Sequence, residues 1–172
     1  MATASLSLGS NLAPEVNLRS AIAVLRARFG AVKVSAIYRT AAVGFDGAAF
    51  LNAGMVIDTD LDAFALDAWL HALEDAHGRD RSGPRFGDRS LDVDLVLYDD
   101  LILDGPGHPG SGPGQVLRIP REDLRHAFVL RPLAEIAPDI VEPRSGLTLA
   151  ALWARSRERD TPMVAVTEFD AG

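Results

Sequence analysis

Two aspartates, Asp92 and Asp94, lie two residues apart at the start of an apolar segment. In a β-strand, alternate side chains project from one face, so the two carboxylates would point the same way, about 6.6 Å apart along the backbone. Like charges this close repel each other unless a cation or a proton lies between them. Magnesium prefers oxygen ligands, and paired ions about 3.5–4 Å apart fit between such carboxylates. The pair therefore predicts a magnesium site.

An isolated Asp-X-Asp motif could equally be two solvated aspartates on an exposed edge strand. Here the residues that follow, 95–97, are apolar on both faces of the strand, which favours a position in the interior of the sheet. Nearby arginines could bind phosphate, because a planar guanidinium group matches phosphate oxygens through paired hydrogen bonds. The alternative is that one or two of these arginines only neutralise aspartates. Four arginines lie within the eleven residues 79–89, shortly before the pair: Arg79, Arg81, Arg85 and Arg89.

The elements that position these residues follow from the spacing of the apolar side chains. Strands are predicted over residues 4–8, 32–38, 50–59 and 92–98, and helices over 14–29 and 62–77, with loops at 41–49 and 79–90. The order strand, helix, strand, strand, helix, strand is that of a ferredoxin-like βαββαβ core. We therefore predict an α+β fold, with an antiparallel sheet and both helices packed on one of its faces.

The rest of the chain is predicted to extend this core and not to form a second domain. We expect a mobile Gly/Pro-rich loop, a short strand, helical turns around Pro132 and a last helix, over residues 105–114, 116–119, 124–136 and 147–157. A single domain is expected over residues 1–160. The C-terminal tail, 161–172, has weak signals and could be disordered.

Composition limits the classes of function. The chain has 172 residues, which suits one domain, and its net charge of −7 argues against binding to nucleic acid through the phosphate backbone. No apolar run is long enough to predict a membrane span or a signal peptide. There is no cysteine, which excludes disulfides and thiolate metal sites. We expect a cytoplasmic monomer without a nucleic-acid or membrane partner.

The run from Arg85 to Asp94 resembles the signature of the hydroxymethyldihydropterin pyrophosphokinase family, Arg-Trp-Gly-Pro-Arg-x-Leu-Asp-x-Asp. The resemblance implies transfer of pyrophosphate from ATP to the hydroxymethyl group of 6-hydroxymethyl-7,8-dihydropterin, with release of AMP, in folate biosynthesis. It also implies two magnesium ions. Further matching segments extend over nearly the whole chain: Leu8-Gly9-Ser10-Asn11, Tyr38-Arg39-Thr40, Phe50-Leu51-Asn52, Phe128-Val129-Leu130, Pro132-Leu133 and Glu135-Ile136-Ala137-Pro138.

The resemblance further implies roles for individual residues. Asp92 and Asp94 would bind both magnesium ions, and Asp92 would also meet the pterin hydroxymethyl group. The catalytic group would also include three arginines that hold phosphates or close over the substrates: Arg79, Arg81 and Arg89. The nucleotide site would be lined by Glu74, Arg85 and Arg89. The pterin pocket, in which the ring is stacked between two phenylalanines, would be formed by Thr40, Val43, Gly44, Phe50, Asn52 and Phe128.

These residue types suit such a ligand. A flat heteroaromatic ring gains from stacking between two aromatic faces. Its amide-like edge needs a residue with both a donor and an acceptor, which Asn52 supplies. The alternatives are ordinary core packing for Phe50 and Phe128, and a strand-end role for Asn52.

Several positions depart from the family pattern. Phe86 and Asp88 replace the signature Trp and Pro, Arg121-Glu122 replaces a frequent His-Tyr, and His126 lies about where an arginine is usual. The adenine and ribose contacts therefore cannot be carried over residue by residue. Two other functions are considered: a non-catalytic module that binds a pterin or a nucleotide, and a two-metal nucleotide enzyme that acts on a different alcohol.

Overall fold

The computed structural model describes residues 1–42, 47–78, 90–107 and 115–167. None of the helices within these ranges is both long and apolar enough to cross a membrane. In chain order the elements are β1 (Ala2–Ser10), α1 (Pro14–Phe29), β2 (Lys33–Val34), β3 (Tyr38–Thr40), β4 (Phe50–Thr59), α2 (Ala63–Ala76), β5 (Asp92–Tyr98), β6 (Leu103–Pro106), β7 (Val116–Ile119), a 3₁₀ helix (Glu122–Arg125), α3 (Ala127–Ile136), α4 (Leu149–Ala154) and β8 (Val164–Ala165).

The main sheet contains six strands, in the order β5-β1-β4-β3-β8, with β2 also paired to β4. Every pairing in it is antiparallel. β6 and β7 form a separate two-stranded ribbon. The predicted ferredoxin-like α+β core is confirmed, since the strands and helices of the βαββαβ unit occur in the expected order.

One face of the sheet is covered by α1 and α2, as predicted. Their apolar stripes pack with β1, β4 and β5 in one buried cluster, in which Leu18, Ile22 and Leu70 have no exposed surface. Pro14 stands at the start of α1, where its missing N–H costs no hydrogen bond. Asp62 caps α2, because its Oδ1 accepts the N–H of Ala65 at 2.8 Å.

The opposite face is covered by the C-terminal extension. A second buried cluster joins Val96 and Leu97 of β5 to Leu130 and Leu133 of α3 and to α4. α3 approaches β4 so closely that a Cβ on Gly54 would lie 3.0 Å from Leu133 Cδ2 and 3.1 Å from the backbone of α3. A glycine at this position therefore lets the helix lie directly on the strand.

The expectation that β5 lies in the interior of the sheet is wrong, because β5 is an edge strand of the main sheet. It is apolar on both sides because helices cover both faces of the sheet. Its outer edge is also covered: the N–H of Arg121 donates to Val96 O at 3.0 Å, and the N–H of Val93 donates to Glu74 Oε2 at 2.9 Å. A strand that is apolar on both faces therefore indicates that both faces are covered by helices, and it does not indicate how many strands lie beside it.

Other boundaries also differ from the expectations. The strand predicted over 32–38 is divided into β2 and β3, because Ser35 turns its hydroxyl to the N–H of Gly54 at 2.9 Å. The helical turns predicted around Pro132 form one continuous helix, α3, after a 3₁₀ turn. The last helix is shorter than predicted, and β6 lies partly in a segment expected to be a loop. In the tail, β8 pairs with β3.

Candidate active site

Residues of three adjacent strands form a row on the face that α3 covers. Asp92 of β5 pairs with Gly9 of β1, and Gly9 pairs with Asn52 of β4. Because neighbouring strands lie about 4.8 Å apart, the backbones of Asp92 and Asn52 are about 10 Å from each other. Asp94 lies in the next row on the same face, paired with Ser7. The sheet thus brings the carboxylate pair and the predicted pterin-binding amide to one face.

Burial and a hydrogen bond fix the side chain of Asn52 beside Gly9. Its side chain is buried, with 4% of the residue exposed, and its Nδ2 donates to Thr40 Oγ1 at 2.5 Å. A Cβ on Gly9 would lie 3.0 Å from Asn52 Oδ1 and 3.7 Å from Phe50 Cδ1. The fold therefore brings together three of the predicted pocket residues: Thr40, Phe50 and Asn52. Gly9 lies between Asn52 and Asp92 on the same face of the sheet.

Asp94 has a cation beside it. Arg121 places Nη2 3.6 Å from Asp94 Oδ1 and Nε 3.4 Å from Asp123 Oδ2, and the side chains of Arg121 and Asp94 are 38% and 31% exposed. The pKa of Arg121 is raised, mainly because the charge of Asp94 stabilises the guanidinium. Burial opposes this rise, and Asp123 and Asp92 add to it. The guanidinium therefore stays charged beside the carboxylate pair.

Glu74 reaches β5 from the opposite face of the sheet. It is buried in α2, and its Oε2 accepts the N–H of Val93, the residue between the two aspartates. A carboxylate hydrogen-bonded to the backbone in this way fixes the start of β5 relative to α2. The structure therefore connects Glu74 to the strand that carries the aspartates, while its predicted contact with a nucleotide stays a prediction.

Phe128 lies in the first turn of α3. Its ring stacks on the His126 ring, with the centroids 5.4 Å apart and 12° between the planes. His126 Nδ1 lies 2.9 Å from Glu158 Oε2, and Glu158 Oε1 accepts the N–H of Ala127 at 3.1 Å. The aromatic side chain predicted to stack on the pterin is thus itself backed by a histidine that the C-terminal segment holds in place.

The two aspartates fit a magnesium site of the expected kind. Within the described ranges, no group of three or more His, Cys, Asp or Glu side chains could hold a metal ion. Magnesium commonly binds through one or two carboxylates and takes its remaining ligands from water and substrate phosphates. Asp92 and Asp94 supply carboxylates on one face of β5, and the nearby Arg121 indicates that this position favours positive charge.

Six of the predicted site residues lie outside the described residues: Val43, Gly44, Arg79, Arg81, Arg85 and Arg89. Their roles stay predictions. Three residues near the site were given no role from the sequence: Gly9, Arg121 and His126. Gly9 lies in a segment that matches the family pattern, whereas Arg121 and His126 are positions that depart from it. A glycine within a strand and an arginine two residues before an aspartate were the available signals.

Comparisons with known proteins point to one family. Residues 5–138 match the family model described as 7,8-dihydro-6-hydroxymethylpterin-pyrophosphokinase. A 2-amino-4-hydroxy-6-hydroxymethyldihydropteridine pyrophosphokinase of Synechocystis is 37% identical over 153 residues, which cover 87% of this chain and 73% of the relative. The protein of the same name from Methylorubrum extorquens is 38% identical over 146 residues, which cover 82% of this chain and 86% of the relative.

A solved structure supports the fold. A Plasmodium falciparum HPPK-DHPS chain superposes with a TM-score of 0.69 at 13% sequence identity, over 93% of this chain and 45% of that one. This chain therefore corresponds to less than half of that longer protein, and at this level of identity the likeness concerns the fold alone. The match over residues 5–138 and the relatives above 30% identity carry the assignment: the chain belongs to the 7,8-dihydro-6-hydroxymethylpterin pyrophosphokinase family.

Proposed function

We propose that this protein transfers pyrophosphate from ATP to the hydroxymethyl group of 6-hydroxymethyl-7,8-dihydropterin, with release of AMP, as a step of folate biosynthesis. The observation that carries the proposal is the row Asp92–Gly9–Asn52, in which a carboxylate and a buried amide share one face across three strands. Membership of the pyrophosphokinase family supports the same reaction.

The pterin would bind at the Asn52 end of this row. The side-chain amide of Asn52 offers one acceptor and a donor group to the polar edge of the ring. Its Nδ2 is already oriented by Thr40, so little reorganisation is needed on binding. Phe50 and Phe128 would stack on the two faces of the ring. Val43 and Gly44 are proposed to complete the pocket.

The triphosphate would bind at the Asp92 and Asp94 end. These carboxylates would hold two magnesium ions, which when bound supply charge neutralisation for the phosphates and a lower pKa for the attacking hydroxyl. Glu74 and Arg85 are proposed to line the nucleotide site. Three arginines would hold the phosphates and stabilise the charge that develops during transfer: Arg79, Arg81 and Arg89.

The chemistry then follows from positioning. The hydroxymethyl oxygen forms a bond to the β-phosphorus, the bond from that phosphorus to the oxygen bridging to the α-phosphorus breaks, and AMP leaves. Asp92 is the carboxylate in the row with Asn52, so it would orient the hydroxyl and the proton that leaves it. All residues of this scheme come from one chain, and we propose a monomer that acts in the cytoplasm.

The test is the release of AMP from ATP, measured with and without the pterin alcohol. We expect release to depend on the pterin and on magnesium. Asp94→Asn should lower the rate by at least about 10²-fold, the size expected when electrostatic stabilisation of a transition state is removed. It should also weaken magnesium-dependent ATP binding. Asp100→Asn removes the same charge from an exposed position beyond the end of β5 and should leave the rate unchanged.

Three results would contradict the proposal. Near-normal activity of Asp94→Asn would remove the metal assignment. Binding of both ligands to the unmodified protein without AMP formation would support a non-catalytic module instead. Release of AMP that is driven by another alcohol but not by the pterin would support a different two-metal enzyme.

A further inference from the structure

We propose that Arg121 holds Asp94 while no magnesium is bound, and that it must release Asp94 before magnesium can bind. The inference rests on the proposed function, because it takes Asp92 and Asp94 as the magnesium ligands. It assigns a role to a side chain at which the sequence departs from the family pattern.

The first observation is that Arg121 forks between two carboxylates. Its Nη2 lies 3.6 Å from Asp94 Oδ1, and its Nε lies 3.4 Å from Asp123 Oδ2. Arginine presents its N–H groups in a rigid plane, so one guanidinium can contact two separate carboxylates without changing its rotamer. Asp123 therefore provides a partner that Arg121 keeps when Asp94 is engaged elsewhere.

The second observation is that the position of Arg121 does not depend on Asp94. The N–H of Arg121 donates to Val96 O at 3.0 Å, across the outer edge of β5. The residue is thus fixed by its backbone to the strand that carries both aspartates, two residues beyond Asp94. Loss of the side-chain contact would leave the backbone contact intact.

The competition follows from charge and distance. Magnesium binds carboxylate oxygens directly, at about 2.0–2.1 Å, and requires near-octahedral geometry. A guanidinium 3.6 Å from Asp94 Oδ1 places positive charge beside a carboxylate that would bind the ion, and it repels a second cation there. A change of pH near neutrality does not relieve this conflict, because arginine stays protonated there. Only movement of the side chain relieves it.

The consequence is that magnesium alone binds weakly, whereas magnesium with a nucleotide binds better. A triphosphate supplies further ligands for the ion and anionic oxygens for the displaced guanidinium. Arg121 thus opposes binding of the free ion and supports binding of the ion that arrives with phosphate. The same side chain acts in opposite directions in the two cases, which a purely structural role would not produce.

The test measures the affinity of the intact chain for magnesium chloride alone, by isothermal titration, in the unmodified protein and in single-residue variants. We expect Arg121→Gln to bind magnesium about two- to fivefold more tightly than the unmodified protein, the range expected for removal of a partly exposed charge contact. Arg118→Gln is the matched control. Arg118 is 41% exposed and pairs with Glu122 at 3.3 Å, so this variant removes the same charge from the same segment. It should leave magnesium affinity unchanged.

A second titration uses magnesium with a non-hydrolysable ATP analogue. Here Arg121→Gln should bind the analogue about two- to fivefold more weakly, because the variant has no guanidinium to meet the phosphates. Arg121→Lys retains the charge but cannot contact both carboxylates through a planar fork, so its affinities should lie between those of the unmodified protein and of Arg121→Gln in both titrations. Thermal melting establishes that each variant is folded.

The outcomes separate this inference from the function on which it rests. If Asp94→Asn leaves magnesium affinity unchanged, the aspartates are not the metal ligands and the proposed function fails. If Asp94→Asn abolishes magnesium binding but Arg121→Gln has no effect on it, the function stands and the inference is overturned. Weaker magnesium binding by Arg121→Gln, or an equal gain in Arg118→Gln, would also overturn the inference.

Discussion

Asn52, Phe50 and Gly9 show how much of the site depends on single residues. Asn52 is buried and bonded to Thr40, and its Oδ1 lies where a side chain on Gly9 would be. The resemblance to the family implied the pocket residues, whose types suit a heteroaromatic ligand because a donor-and-acceptor amide would lie between aromatic residues. The role of Gly9 was not, because the need for an absent Cβ arises only when β1 is paired between β4 and β5.

At the residue scale, the proposed stacking of Phe128 on the pterin gives a prediction. Phe128→Ala removes one aromatic face, so pterin affinity should fall about tenfold, while affinity for an ATP analogue should stay unchanged. Isothermal titration with each ligand measures both. Phe64→Ala, at an exposed position of α2, is the control and should affect neither affinity. Equal loss for both ligands together with a lower melting temperature would favour the alternative, in which Phe128 only packs the core.

At the element scale, the contact between α3 and β4 determines where Phe128 lies. The helix rests on Gly54 through Pro132 and Leu133, and Glu135 accepts hydrogen bonds from the Tyr38 hydroxyl and from the N–H of Ala36. Because β3 also carries Thr40, this network connects the helix that bears Phe128, one of the two rings proposed to stack on the pterin, to the strand that orients Asn52. The position of α3 thus affects both sides of the pocket.

Gly54→Ala should therefore destabilise the fold and disturb the pocket. The added methyl would lie 3.1 Å from the backbone of α3, which cannot move as a flexible side chain can. Overpacking of this kind costs about 1–3 kcal/mol, measurable by urea unfolding, and pterin affinity should fall as α3 shifts. Gly105→Ala is the control, because a Cβ on Gly105 would meet no heavy atom within 4 Å. An unchanged unfolding midpoint for Gly54→Ala would contradict this account of the contact.

Much of the element pattern was predictable, and the errors have physical causes. The bounds of α1, β4 and β5 match the predictions because their periodicity is strong and their ends carry Pro, Gly or Asp. The edge position of β5 was not predictable, because apolarity on both faces reports cover by helices and not pairing with other strands. The break between β2 and β3 depends on the Ser35 hydroxyl, which a pattern of apolar residues cannot register.

At the scale of the whole molecule, the C-terminal segment is tied to the site by Glu158 and Met163. Met163 packs with Tyr38 and Ala127 in a small buried cluster, and β8 adds to the sheet beside β3. Glu158 holds both the N–H of Ala127 and the ring of His126. Burial alone would raise the pKa of Glu158, but the hydrogen bonds from Ala127 and His126 outweigh burial and lower it.

The lowered pKa of Glu158 gives a pH dependence with a definite sign. A carboxylate whose folded pKa lies below its ordinary value of about 4.5 stabilises the folded state above that value, and this contribution is lost as the pH falls through the folded pKa. Glu158→Gln should therefore lower the melting temperature at pH 7, and the difference from the unmodified protein should shrink below about pH 4.5. Asp160→Asn, at an exposed position two residues away, should show no such difference. A Glu158→Gln difference that persists unchanged in acid would contradict the electrostatic explanation.

The cover on the outer edge of β5 has a consequence for how the protein behaves in a crowded solution. A free edge strand offers unpaired main-chain groups to any foreign strand and so promotes association into extended sheets. A substrate cleft, however, must stay open to solvent. In this protein the N–H of Arg121 donates to the carbonyl of Val96, and Glu74 accepts the N–H of Val93. The strand with the acidic pair therefore offers fewer unpaired main-chain groups to another polypeptide, although small ligands can still reach it.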